Sequence, residues 1–210
     1  MPKDLSGFIS RISAEFPDQV VTIRRPVRAS AYEVTAILQH LDDRGEYPMA
    51  LFEQPINMLG EPCPFPIVSN VFGTRERCAL ALDLPPEQAK LPLSLEYARR
   101  ERQPIAPQLI GPDAAPVKQV VQRGADIDIR RLPIVKHFEG DLSEVVTMAA
   151  VMKDPDTGIY DVSFVKIFPK GPRSGGVSIH SPHALRRPNR ATLTSRRRPG
   201  HNPRQDRTLA

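Results

Sequence analysis

No apolar run in this sequence approaches the ~18 residues that a membrane-spanning helix needs, so no span is expected. The first residues, MPKDLSGFIS, lack a basic region followed by a long apolar core, which argues against a secretory signal. Cysteine is scarce. Cys63 and Cys78 stand far apart and outside any CxxC pattern, as incidental or buried thiols do in a reducing cytoplasm. A basic surface over the whole molecule is missing too, despite the net charge of +5. Residues 184–210 hold eight Arg and one Asp, so this segment carries +7 and the preceding 183 residues carry −2. Nucleic-acid binding by the body of the protein is therefore excluded as an inference from net charge.

What is present is ordinary for a soluble protein: 40% hydrophobic residues and a mean hydropathy of −0.33. A chain of 210 residues can build one or two domains with a real core. Its 23 prolines fall mainly in connections. Leu5, Phe8, Ile9, Ile12 and Phe16 follow helical spacing and predict an amphipathic helix over Lys3–Phe16, stopped by Pro17. Gln19–Val27 reads as a strand, with Pro26 marking an edge or an end. Ser30 and Glu33 have the spacing of a capping box before a second helix that ends near Gly45. Ala50–Glu53 reads as a short strand and Pro55–Pro66 as a loop. Ile67–Phe72 is expected to form a strand, Gly73 a turn, and Thr74 the cap of a helix through Leu82. Arg75 and Arg77 are expected on a solvated face near that helix start, where an anion site is conceivable.

Helical patches interrupted by Pro92 occupy Pro86–Arg102. Gln103–Pro116, with four prolines and Gly111, is a connection, and a boundary is placed near Asp113. Beyond it the chain reads as short strands: Val117–Gln122, a turn at Gly124, Ile127–Val135, a hairpin, and Val177–Ile179. The hairpin is the informative part. Glu144–Met152 is almost continuously apolar, as for a strand covered on both faces. Asp154-Pro155-Asp156-Thr157-Gly158 supplies turn residues, and Ile159–Phe168 alternates. Asp161 and Ser163 share one face, and simple alternation puts Lys166 on the other. Polar residues on a strand most often mark a wet face; buried, they need partners. His180 and His183 form an isolated His-x-x-His, a weak metal signal without a third ligand.

Two stretches resemble the UbiD-type decarboxylases. Lys153–Gly158 followed by Asp161–Lys166 is similar to that family's Lys-Asp-Pro-Glu/Asp-Thr-Gly and Tyr-Asn-x-x-x-x-Arg motifs. Pro66–Leu84 is similar to its Gly-Asn-Leu-Phe-Gly-x-x-Glu-Arg stretch, with Ser69 where Gly is usual. The resemblance covers about Met1–His183. It implies an α+β chain: an N-terminal α/β domain over 1–112, part of a flavin-binding split β-barrel over 113–183, then a disordered basic tail over 184–210. It also implies a cytoplasmic carboxy-lyase that acts non-oxidatively on an aromatic or α,β-unsaturated (acrylic) acid. Prenylated FMN is the implied cofactor, held through its phosphate by manganese, with a monovalent cation, potassium or sodium, nearby. The substrate bonds to the modified flavin, CO2 leaves, and a Glu or Asp protonates the resulting carbanion.

Carried onto this sequence, the resemblance makes Asp161 and His183 metal ligands, with His180 as the alternative to His183. It places Ser163, Phe164, Val165, Lys166, Ile179, His180 and Ser181 against the cofactor. Lys166 stands at the catalytic Arg position, where it keeps the charge and loses the planar fork. The third ligand, a Glu, and the proton-donating acids have no counterpart before the resemblance ends. A flavin prenyltransferase as cofactor supplier and homo-oligomerisation of the full-length enzyme are further implications.

Residues 184–210 have three readings: a tail that binds polyanions without sequence preference, an extension with no role, or an out-of-frame translation of GC-rich DNA. The last is favoured, so the chain is expected to be a truncated, inactive form of the enzyme. The alternatives are a non-enzymatic flavin-barrel remnant with a polyanion-binding tail, and an oxidoreductase using ordinary flavin on a similar barrel.

Overall fold

The computed structural model describes residues 4–106, 108–154 and 157–177. It is a mixed α/β structure whose contacts separate into two compact units. One contains the residues up to Glu144 together with Gly171–Ser174; the other contains Val145–Lys170 and the described residues from Gly175.

In the first unit, α1 (Leu5–Glu15) starts at Asp4, whose carboxylate accepts the Gly7 N–H at 2.7 Å. Pro17 follows, and β1 spans Val20–Ile23. The expected strand through Val27 breaks here. Pro26 has no N–H to donate, and the chain resumes as β2 (Val27–Arg28) in a separate two-stranded sheet. Helix α2 spans Glu33–Asp43. Its predicted capping box does not form. Ser30 lies in a 3-10 turn, the helix enters through Tyr32 at φ 63°, and Glu33 instead accepts from the Arg28 N–H and the Arg25 guanidinium.

Strand β3 (Met49–Phe52) runs parallel to β1, while β4 (Pro55–Ile56) pairs with β2. Strand β5 (Ile67–Ser69) is antiparallel to β3, so β3 is central. Its alternation divides the core. Ala50 and Phe52 pack with Val27 and Val34 near α2, and Met49 packs with Ile12 of α1 and Leu80. Leu80 belongs to α3 (Arg75–Ala81), capped by the Thr74 hydroxyl as predicted. Helix α4 spans Leu91–Glu101; Pro92 lies in its first turn, where no N–H is missed, and so begins the helix rather than interrupting it.

No strand forms over 117–135, a second departure from expectation. Short 3-10 turns at Pro116–Lys118, Gly124–Asp126 and Ile129–Arg131 occupy the segment. Pro116 and Pro133 withhold ladder donors, Gly124 adopts φ 58°, and Asp128 captures the Arg130 N–H.

The second unit is a three-stranded sheet of β6 (Val146–Lys153), β7 (Tyr160–Gly171) and β8 (Ser174–Val177), in that order. The hairpin is as predicted. The double coverage of β6 is not: Val151 is 64% exposed, because among the described residues no second layer of this unit covers that face. Among the described residues there is no closed barrel. No helix among them is long and apolar enough to cross a membrane.

Candidate active site

The turn between β6 and β7 is held by its own side chains. The Asp154 N–H donates to the Ile159 carbonyl and the Gly158 N–H to the Asp154 carbonyl, both at 2.8 Å. The Asp154 carboxylate accepts the Thr157 N–H, and the Thr157 hydroxyl accepts the Ile159 N–H. Gly158 takes φ 72°, a conformation that L side chains rarely adopt. Pro155 and Asp156 lie outside the described residues.

From this turn the ladder runs without interruption from Lys153 opposite Tyr160 to Val146 opposite Ile167. No bulge re-aims a side chain, so strict alternation decides the faces. Position 161, Ser163 and Val165 share one face, and Phe164 and Lys166 share the other. Ser163 is buried, whereas Phe164 is 83% exposed and Lys166 is exposed. Tyr160, Val162 and Val151 add apolar surface on the Lys166 side, with the Lys153 ammonium 5.6 Å from the Tyr160 ring centre. The structure therefore places Ser163 and Lys166 on opposite sides of one strand. Strand β8 returns close to β7: a Cβ on Gly175 would come within 2.7 Å of Ile167 Cγ2 and 3.2 Å of the Phe168 carbonyl oxygen. Ile179, His180, Ser181 and His183 lie outside the described residues. Among the described residues there is no group of three His, Cys, Asp or Glu side chains suited to a metal.

Sequence reasoning misplaced Arg77. Expected on a solvated face, it is 1% exposed. Its guanidinium donates to the carbonyls of Val71 (3.1 Å), Asn70 (3.1 Å) and Tyr47 and to Gln19 Oε1 (3.2 Å). Burial lowers its pKa from the ordinary arginine value. Gly73 makes room for it, since a Cβ there would lie 2.9 Å from Arg77 Nη2. Arg75 is also engaged, donating to the Ala89 carbonyl at 2.7 Å. Both arginines of the Phe72–Arg77 motif are thus struts of the first unit, and the sequence offered no signal for the converging carbonyls.

Two family models match in order. The 3-octaprenyl-4-hydroxybenzoate carboxy-lyase N-terminal domain matches residues 14–90, and the Rift-related domain of the same enzyme matches residues 109–198. The chain belongs to the UbiD family. An uncharacterized protein of Synechocystis sp. is 27% identical over 191 residues, covering 80% of this chain and 35% of that protein. An evolved dimeric form of the UbiD-class enzyme HmfF from Pelotomaculum thermopropionicum, solved with prenylated FMN, superposes with a TM-score of 0.76 at 27% identity. That match covers 93% of this chain and 42% of HmfF. The closed form of vanillic acid decarboxylase from Sedimentibacter hydroxybenzoicus shares the fold, with a TM-score of 0.79 at 23% identity over 92% of this chain and 41% of that one. The chain spans roughly two fifths or less of the length of these relatives.

Proposed function

We propose that this chain forms the N-terminal part of a UbiD-type carboxy-lyase that removes CO2 from an aromatic or α,β-unsaturated carboxylic acid. In this reading residues 1–112 are its α/β domain, and residues 113–183 begin its flavin-binding split barrel. The observation that carries the reading is the uninterrupted β6–β7 hairpin presenting the Asp161–Lys166 run, in a chain matched in order by both family domains.

The residues present fit the implied cofactor in type. An oxygen donor at Asp161 suits a hard divalent cation such as manganese, and the buried Ser163 hydroxyl on the same face suits a phosphate or flavin oxygen. Bound prenylated FMN would supply the centre to which the substrate bonds while CO2 leaves. Lys166 stands at the catalytic Arg position but on the other face of β7, with Phe164 and Val162. For its charge to hold the substrate carboxylate, a bulge in β7 of the full-length enzyme would have to turn it toward the cofactor. His183, or His180 in its place, would be the second metal ligand, with Ile179 and Ser181 beside the cofactor. A third ligand and a proton-donating acid must come from outside this run; general acid catalysis alone is typically worth ~10²–10⁴-fold.

The test is CO2 release from a panel of aromatic and acrylic acids, with prenylated FMN and manganese supplied. The assay compares the 210-residue chain with the same chain joined to the C-terminal portion of a relative. We expect turnover only in the joined protein. There, Asp161→Ala should abolish metal-dependent flavin retention, and Lys166→Ala should lower kcat with flavin retained. Robust turnover by the 210-residue chain would refute the division of the active site. No turnover and no flavin retention by the joined, folded protein would refute the carboxy-lyase reading.

A further inference from the structure

Past the 3-10 turn at Ile129–Arg131 the chain has neither helix nor strand through Phe138, yet it is laid along the first unit at three places. At the first, the Met58 N–H donates to the Arg130 carbonyl at 3.1 Å, and the Arg131 carbonyl accepts from Asn57 Nδ2 and Cys63 Sγ, each at 3.5 Å. At the second, Ile134 is buried and Val135 packs against the cluster of Val27, Val34, Ala50 and Phe52. At the third, the Lys136 N–H donates to the Ala29 carbonyl at 3.1 Å, and the His137 ring meets the Thr35 hydroxyl at 3.4 Å. Arg131, Leu132 and Phe138 are exposed on the outer side. Polar bonds thus fasten the two ends, and two aliphatic side chains fasten the middle.

This attachment is shallow beside the core it lies on. The cluster has four buried residues and six that pack against them, and Val135 is the one member from beyond Ile67. The other members come from β1, β2, β3, β5 and α2, so these elements keep nearly all of their mutual packing without the strap. A segment with few apolar contacts and no strand ladder opens at lower free energy than a core, and it opens as a unit. Beneath it, Cys63 is 7% exposed and Asn57 4%. Both have bonds of their own. Asn57 Oδ1 accepts the Leu59 and Glu61 N–H groups at 2.9 and 3.0 Å, and the Cys63 N–H donates to the Pro55 carbonyl at 2.9 Å. The floor therefore keeps its shape when the covering segment leaves.

We propose that residues 130–137 form a strap that lifts from the first unit while its sheet and helices stay folded, uncovering Cys63 and Asn57. The proposal is independent of the carboxy-lyase reading. Cys63 is the reporter of opening. With Cys78→Ser it is the only thiol of the 210-residue chain. Its thiolate attacks an aromatic disulfide reagent, forming a mixed disulfide and releasing one coloured aryl thiolate. We expect labelling in native buffer to be faster than global unfolding, followed by circular dichroism in denaturant and extrapolated to the same buffer. Ile134→Ala should speed labelling at least about tenfold. Ile134→Val, which keeps the fold if the alanine variant does not, should speed it by about threefold. Ile12→Val removes the same methylene from the separate cluster of Ile12, Met49 and Leu80, and should leave the labelling rate within about twofold. Labelling at the global unfolding rate, acceleration by Ile12→Val equal to that by Ile134→Val, or parental rates in the Ile134 variants would each overturn the proposal.

Discussion

Arg77 has no carboxylate partner among the described residues, yet it is buried, because four oxygens converge on its guanidinium. Removing the side chain would strand those acceptors, each worth about 1–3 kcal/mol when left unsatisfied. Arg77→Ala should therefore destabilise the first unit by about 3 kcal/mol or more. Arg77→Lys should recover only part, because an ammonium lacks the planar array of donors. Gly73→Ala should move in the same direction, since its Cβ would meet Nη2 at 2.9 Å. Chemical denaturation checks all three; wild-type midpoints in any of them would contradict this account. The Gly and the Arg of the motif were both visible in the sequence. Their dependence on each other was not, because four residues of separation do not reveal that the side chain folds back over the Asn70 turn.

At the scale of the element, local signals were legible wherever one residue type answers one local need. Thr74 caps α3, and Thr74→Ala should cost about 1 kcal/mol. Gly158 fills the φ 72° position of the hairpin, and Gly158→Ala should cost about 1 kcal/mol or more, read as a lower melting temperature. Signals with more than one structural outlet misled. The Ser30 and Glu33 spacing fits a capping box, but Glu33 is taken by Arg25 and the Arg28 N–H. The β-branched residues of 117–135 suggest strands, but with no strand among the described residues pairing with them, Asp128, Gly124 and the prolines set turns. Gly175 is a further case. Its role is set by the approach of β8 to Ile167, so Gly175→Ala should cost about 1–3 kcal/mol through overpacking. An unchanged unfolding midpoint in that variant would show that the two strands separate freely.

For the whole molecule, charge is distributed rather than uniform, and two carboxylates tie stability to acid. Hydrogen bonds from Arg99 hold the Glu96 pKa at about 2, and those from Arg130 hold Asp128 at about 2. Both lie below their ordinary values of 4.5 and 3.8. A depressed folded-state pKa contributes stability that is present above the unfolded value and lost as pH falls through the folded one. Stability should therefore decline from about pH 4.5 toward pH 2. Glu96→Gln and Asp128→Asn should each flatten that decline while lowering stability at pH 7. A wild-type acid profile in the double variant would remove these pairs from the explanation. The arginine of each pair reaches solvent while its carboxylate is largely covered, so added salt should weaken their contribution only in part.

By itself the sequence determined the first three helices, where the hairpin turns, and that Ser163 and Lys166 alternate across one strand. Those properties follow from contacts a few residues apart. Family membership was legible for a related reason: its motifs are contiguous words, within Pro66–Leu84 and at Lys153–Gly158. Only the tertiary structure decided that Arg77 is buried, that β3 is central, and that the Arg131 carbonyl meets Asn57 and Cys63. Each of these depends on groups tens of residues apart being brought together. Burial, and with it the strength of a charge or the cost of a methyl group, exists only once that has happened.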